Sequence, residues 1–167
     1  MSNDLSQSID QLSVIARQCI ATVCFERYCE FHSLRGPDFD TFIEHLWQVA
    51  KLTKPDEFVE WEQGFQRLEA AGWGEPLSES FLNALPHALR TEYPHLATYV
   101  IETSAMTWYG HDMEGTKEYL MRAIETVLKY GIPIPDLDMF KSSSLKVLDG
   151  WGSNPTADEL FAWRHAS

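Results

Sequence analysis

Apolar side chains recur at steps of three and four along nearly the whole chain, and proline and glycine cut this pattern into segments. That period is the signature of amphipathic helices, since strands alternate every second residue. Leu5, Ile9, Leu12, Ile15 or Ala16, Cys19, Ile20, Val23 and Tyr28 predict one long helix over about 4–33, ended by Gly36-Pro37. A second runs over about 38–53, with Phe39, Phe42, Ile43, Leu46 and Ala50 on one face and Asp38, Glu44, Gln48 and Lys51 on the other. Pro55 opens a third, with Thr53 as its cap and Asp56 three residues on. Its stripe is Phe58, Trp61, Phe65 and Leu68, and Gly72 ends it.

The later segments follow the same grammar. One helix spans about 78–91 and is divided at Pro86. The next starts at Pro94, carries Leu96, Tyr99 or Val100, Thr103 and Met106 or Thr107, and closes at Gly110. Asp112 then caps a helix over about 113–130, with Tyr119, Leu120, Ala123, Ile124, Val127 and Leu128 inward and Gly131 as its stop. Ile132-Pro133-Ile134-Pro135 is extended, because a residue before proline avoids helical angles. Short turns follow near 136–142 and 143–149, and Asn154-Pro155 begins a last helix to about 165. No hairpin turn separates alternating runs. The expectation is an all-α chain: one bundle over 1–167, of six to seven helices, with an irregular proline-rich stretch (131–154) before the last.

Length and composition set the outer limits. The chain has 167 residues, 44% of them apolar and 13% aromatic. At 19.2 kDa, size scaling gives about 8,400 Å² of folded surface and burial of about 70% of the unfolded surface, enough for a core without staples. No apolar run reaches the roughly 20 residues of a membrane span. The start, Met1-Ser2-Asn3-Asp4, carries acid where a signal peptide carries Lys or Arg, which points to the cytoplasm. Cys19, Cys24 and Cys29 stand five apart; on a helix each step turns about 140°, so the thiols diverge. They are expected to be free, buried thiols in a reducing compartment.

Charge narrows the partners. The formal net charge is −12, and the segment 38–79 supplies −7 of it, from ten acids and three bases. Direct binding to nucleic acid needs the opposite sign, and an anionic membrane is disfavoured for the same reason. A cationic protein is the partner such a surface attracts. Asp56 and Glu60, one turn apart, and Glu62 and Glu69, two turns apart, are expected to form two acidic rows beside the buried stripe. With Glu57 and with Trp73, held in the turn Gly72-Trp73-Gly74, they make the candidate partner-binding set. Trp73 and Trp151, each between glycines, are either plugs packed under a loop or anchors for a partner.

Catalytic patterns are sparse. There is no His-Glu-x-x-His, Cys-x-x-Cys, Gly-x-Ser-x-Gly or phosphate loop, and no cofactor or metal site is expected. Ser143-Ser144-Leu145-Lys146 fits Ser-x-x-Lys without its companion motifs, and reads as a capped turn. His111-Asp112 is similar to the metal-binding doublet of the HD phosphohydrolases. That likeness implies further ligands from His87 or His95 and from Asp136, Asp138 or Asp149; the alternative is a turn at Gly110-His111 with Asp112 as a cap. In size, acidity and helical character the chain is similar to small acidic helical immunity proteins, a likeness of composition and architecture. It implies a non-enzymatic protein that neutralises a cationic toxin. A structural or adaptor helical domain that self-associates is the second expectation, and a metal-dependent phosphohydrolase the third.

Overall fold

The computed structural model describes residues 2–167, with side chains described for all of these except 2, 3, 55 and 106–110. Its elements are α1 (Ser2–Asp10), α2 (Val14–Phe31), α3 (Pro37–Trp47), α4 (Pro55–Gly64), α5 (Glu79–Ala84), α6 (Glu92–Gly110), α7 (Met113–Leu128) and α8 (Ala157–Arg164). Short 3-10 turns follow α3, α4 and α5 and punctuate the stretch before α8. Among the described residues there is no strand, and the all-helical expectation holds.

Among the described residues the α-helices number eight, because the first expected helix is two. Ser13 is extended (φ −66°, ψ 164°) and its hydroxyl accepts from Ala16 N, capping α2. The apolar spacing runs through this break unaltered, so only the cap marks it. The third helix is shorter than expected. It begins at Pro55 but ends at Gly64, with a 3-10 turn over Phe65–Arg67. Its cap is also displaced: Lys54 is the N-cap residue, and Glu57 rather than Asp56 accepts from the backbone N–H groups of Thr53 and Lys54. The sixth helix begins at Glu92, two residues before Pro94. Met106 and Thr107 of its expected stripe lie outside the described side chains. The last helix is capped by Thr156 with Glu159 in a capping box, not by Asn154.

Helix α2 is the axis of the molecule. It packs on α3, α6 and α7, and Val14 to Phe25 are buried on every side. A helix surrounded on all faces has no polar face to show. Some of its polar members find partners inside, whereas the fully buried Gln18 side-chain amide has none among the described residues. Arg17, 2% exposed, donates to Met113 O, Thr116 Oγ1 and Ile9 O, and so joins α1, α2 and α7. The three cysteines are free and buried on this helix, as expected from their spacing.

The stretch from 131 to 156 acts as a strap. Arg27 of α2 donates to Pro133 O and to Ala166 O. Ser13 and Ser143 hydroxyls meet at 2.6 Å, and Ser143 donates onward to Ser153 O. Gly152 (φ 106°) lies against both serines, and a Cβ there would sit under 3.0 Å from them. Asn154 Nδ2 donates to Ala50 O and Leu52 O, which holds the end of the α3 segment. Trp163, 1% exposed, closes the strap by donating from Nε1 to Met139 O.

Candidate functional site

The acidic quarter of the chain lies on α3, α4 and the loop 68–78. Pro37 and Pro55 open the two helices at their first positions, where a missing N–H costs nothing. Asp38 and Asp40 stand in the first turn of α3, Asp56 and Glu57 in that of α4. Carboxylates there are favoured by the helix dipole. Phe42, Leu46, Trp47, Phe58, Trp61 and Phe65 are buried beneath, so Asp38, Asp40, Glu44, Asp56 and Glu60 face outward.

Two clamps fix these helices. Trp61 Nε1 donates to His45 O at 2.6 Å, and His45 Nε2 pairs with Trp61 O at 2.6 Å. Burial holds the His45 imidazole below its ordinary value. On the other side of α3, Trp47 Nε1 donates to Glu26 Oε1 at 3.1 Å, and the Arg164 guanidinium lies 5.4 Å over the Trp47 ring. Arg164 also pairs with Glu44. Burial pushes the Glu26 carboxyl up to about 7, against the Trp47 hydrogen bond and the charge of Arg164. Between α3 and α4 an open cleft of about 830 Å³ is lined by Gln48, Lys51, Glu57, Glu60, Gln63 and Arg67, among others.

The six expected partner-binding residues divide. Asp56 and Glu60 are exposed on one edge of α4. Glu57 is half-buried and committed to the helix start; backbone hydrogen bonds from Thr53, together with the Thr53 hydroxyl and Lys54, hold it below the usual carboxylate range. Glu62 is a correction: it is 9% exposed, facing α6, and its charge helps burial raise the Glu102 carboxyl. Glu69 is exposed but lies beyond the end of α4, where it accepts from Ser78 Oγ at 3.0 Å. The second acidic row therefore does not exist, because α4 ends at Gly64 and Glu62 turns inward. Trp73 is half-buried, edge-on to Phe65 at 6.4 Å. Trp151 is likewise half-buried, edge-on to Phe58 at 5.2 Å.

The catalytic alternatives find less support in the geometry. His111 is exposed at φ 51°, and Asp112 Oδ1 accepts from Gly115 N at 2.8 Å, which is the turn-and-cap arrangement. Among the described residues no three His, Cys, Asp or Glu side chains converge on a point where a metal ion could sit. Ser143 is buried in the strap, while Ser144 Oγ accepts from Lys146 N. Two residue groups lay outside the sequence reading. One is Glu26 with Trp47 and Arg164. The other is Glu92, which accepts from Tyr28, Tyr130 and Lys129 and ties α2, α6 and α7 together. The first is marked in the sequence only by Trp47, an indole that stands beside the stripe Phe39, Phe42, Ile43, Leu46 and Ala50. The second has none, since each partner of Glu92 lies more than 35 residues from it.

No protein-family model matches this chain, and no curated protein or solved structure matches it. No helix among the described residues is long and apolar enough to cross a membrane.

Proposed function

We propose that this protein binds a cationic protein through the exposed carboxylates of α3, α4 and the loop that follows, and that it is a cytoplasmic immunity protein inhibiting a cognate bacterial toxin. The observation that carries this reading is how the charges are spent. Five ion pairs occur among the described residues, and they consume Asp10, Glu118, Glu92, Asp138 and Glu44. Only Glu44 belongs to the segment 38–79. Asp38, Asp40, Asp56, Glu60, Glu75 and Glu79 are exposed and take part in none of these pairs. Unpaired acids on a rigid face cost self-repulsion in the free protein. A cationic partner relieves that repulsion, and close pairs across an interface couple by about 1.5–7 kcal/mol. A toxin acting on an anionic substrate keeps a basic cleft, which such a face would cover.

The test is rescue. The product of the reading frame adjoining this gene is expressed under control, with and without this protein. The proposal expects growth arrest by the neighbour, relief by this protein, and loss of relief on Asp56→Lys with Glu60→Lys. Absence of relief, or relief indifferent to that reversal, contradicts it.

A self-associating adaptor is the second reading, favoured by one observation. Leu145, Val147 and Leu148 are exposed within four residues, on a turn where Leu148 and Asp149 take φ of 48° and 51°. Sedimentation of a concentrated sample distinguishes it: a dimer lost on Leu148→Asp supports the adaptor, and a monomer contradicts it.

A further inference from the structure

Trp73 sits between Gly72 (φ 59°) and Gly74 (φ 74°), both in the left-handed region that side chains avoid. The two glycines turn the chain sharply around one indole. Edge contact with Phe65 fixes the inner side of that ring. Trp73, Leu68, Pro76 and Leu77 line a groove of about 200 Å³, rimmed by the exposed carboxylates of Glu69 and Glu75. The Trp73 indole N–H has no hydrogen-bond partner among the described residues. Ser78 Oγ steadies Glu69, and Glu75 makes none of the ion pairs seen among them.

We propose that this groove receives one arginine side chain of the cationic partner, with its guanidinium against the Trp73 ring and its N–H groups on Glu69 and Glu75. The proposal rests on the reading that the partner is cationic, and adds where and by which side chain it is gripped. Size excludes the usual small-molecule ligand, whose pockets run about 300–1,000 Å³. Tryptophan is the best aromatic acceptor of a cation. A planar guanidinium stacks on the ring while its edge meets carboxylates, which a lysine ammonium cannot do. Apolar walls suit the arginine stem. Arg67 lines the same groove, so the rim carries two acids against one base, and removing Arg67 strengthens the grip.

The test uses the full chain, nitrogen-15 labelled, with acetyl-tetra-arginine amide as probe at 20 mM salt. The readout is the Trp73 indole N–H resonance, assigned by its loss in Trp73→Phe. The proposal expects a saturable shift of that resonance. Glu69→Gln and Glu75→Gln each weaken binding at least threefold, whereas Arg67→Gln tightens it. Tetra-lysine binds more weakly, and Trp73→Phe, which keeps a ring in place and is followed through the backbone amides of Glu69 and Glu75, retains reduced affinity. Peptide binding that moves backbone resonances of α3 and α4 but leaves the Trp73 indole still overturns the groove and spares the acidic-surface reading. No binding of the peptide anywhere overturns both.

Discussion

His45 and Trp61 hold each other through two reciprocal hydrogen bonds, side chain to backbone in both directions, with their rings 7° from parallel. A carbonyl oxygen only accepts, so the imidazole donates from Nε2. This clamp fixes α4 against the end of α3, and with it the distance from Glu60 to the side chains across the cleft. Gly64 makes it possible. A Cβ at that position would lie under 3.0 Å from the imidazole ring, which the Trp61 carbonyl holds in place.

Gly64→Ala is therefore expected to cost about 1–3 kcal/mol through overpacking. His45→Ala removes the clamp and leaves a gap, at roughly 2–4 kcal/mol. In the double variant the new methyl group occupies part of that gap. The combined loss falls short of the sum by at least about 1 kcal/mol. Urea denaturation of the four proteins checks this, and strict additivity contradicts the clamp.

Glu26 gives a pH signature. Its carboxyl is raised to about 7 by burial in the folded protein and ionises near its ordinary value of 4.5 when unfolded. The folded state thus holds the extra proton between those values, and stability falls as pH rises through that window. The penalty is complete above pH 7. Glu26→Gln keeps an acceptor for Trp47 Nε1 and cannot ionise, so it stabilises at pH 8 by roughly 2–3 kcal/mol and gains little below pH 4.5. His45 works in the opposite sense: its lowered value gives stability that is full above 6.5 and lost as pH falls. The comparison is accordingly made between variant and parent at each pH. A gain of equal size at pH 4.5 and pH 8 contradicts the account.

The α7 stripe is the best-bounded helix in the sequence. Leu120 and Ile124 are fully buried, between a cap at Asp112 and a stop at Gly131, whose φ is 71°. Leu120→Ala and Ile124→Ala are each expected to cost roughly 2–5 kcal/mol. Unchanged denaturant midpoints in both contradict this packing.

Cys19, Cys24 and Cys29 are at most 2% exposed, and burial pushes all three thiols up, Cys24 to about 12. A thiol reagent such as dithionitrobenzoate is expected to label none of them in the native protein and three per chain in guanidinium chloride. Rapid native labelling of any one contradicts the burial of α2.

These cases show where the sequence carried information. Periodicity marked α7 and the cysteines of α2 because a buried stripe and its caps are local. The division at Ser13 is not legible in the sequence, because apolar spacing continues across it, while the hydroxyl that decides it caps Ala16 N and is steadied by Ser143 from 130 residues away. Glu62 is a related case. On α4 it reads as the polar neighbour of Trp61, yet it is 9% exposed and near enough to Glu102 of α6 for their charges to interact, a neighbour that one helix viewed alone does not reveal. Glu57 reads in the sequence like a partner-binding acid because a capping acid and a solvent-facing acid look alike without the turn at Thr53–Lys54.

The separation of Glu57 from Glu60 is itself testable. Glu57→Ala is expected to lower the thermal midpoint, with the difference from the parent shrinking as pH falls below the ordinary carboxylate value, since the depressed group stabilises only when ionised. Glu60→Ala does not lower the midpoint, since that carboxylate caps nothing and only repels its neighbour Asp56. Equal effects from the two contradict the assignment of Glu57 to the helix start.

The most direct measurement of the central claim is calorimetric titration of the adjoining gene's product with three forms of this protein: the parent, Asp56→Lys with Glu60→Lys, and Glu118→Lys with Glu125→Lys. The two variants change net charge equally; the second also breaks the exposed Glu118–Arg122 pair, a loss of little consequence for stability. The account predicts at least a tenfold loss of affinity for the α4 pair and less than a twofold loss for the α7 pair at 150 mM salt. Equal losses for the two pairs, or none for either, would contradict a localised acidic binding surface.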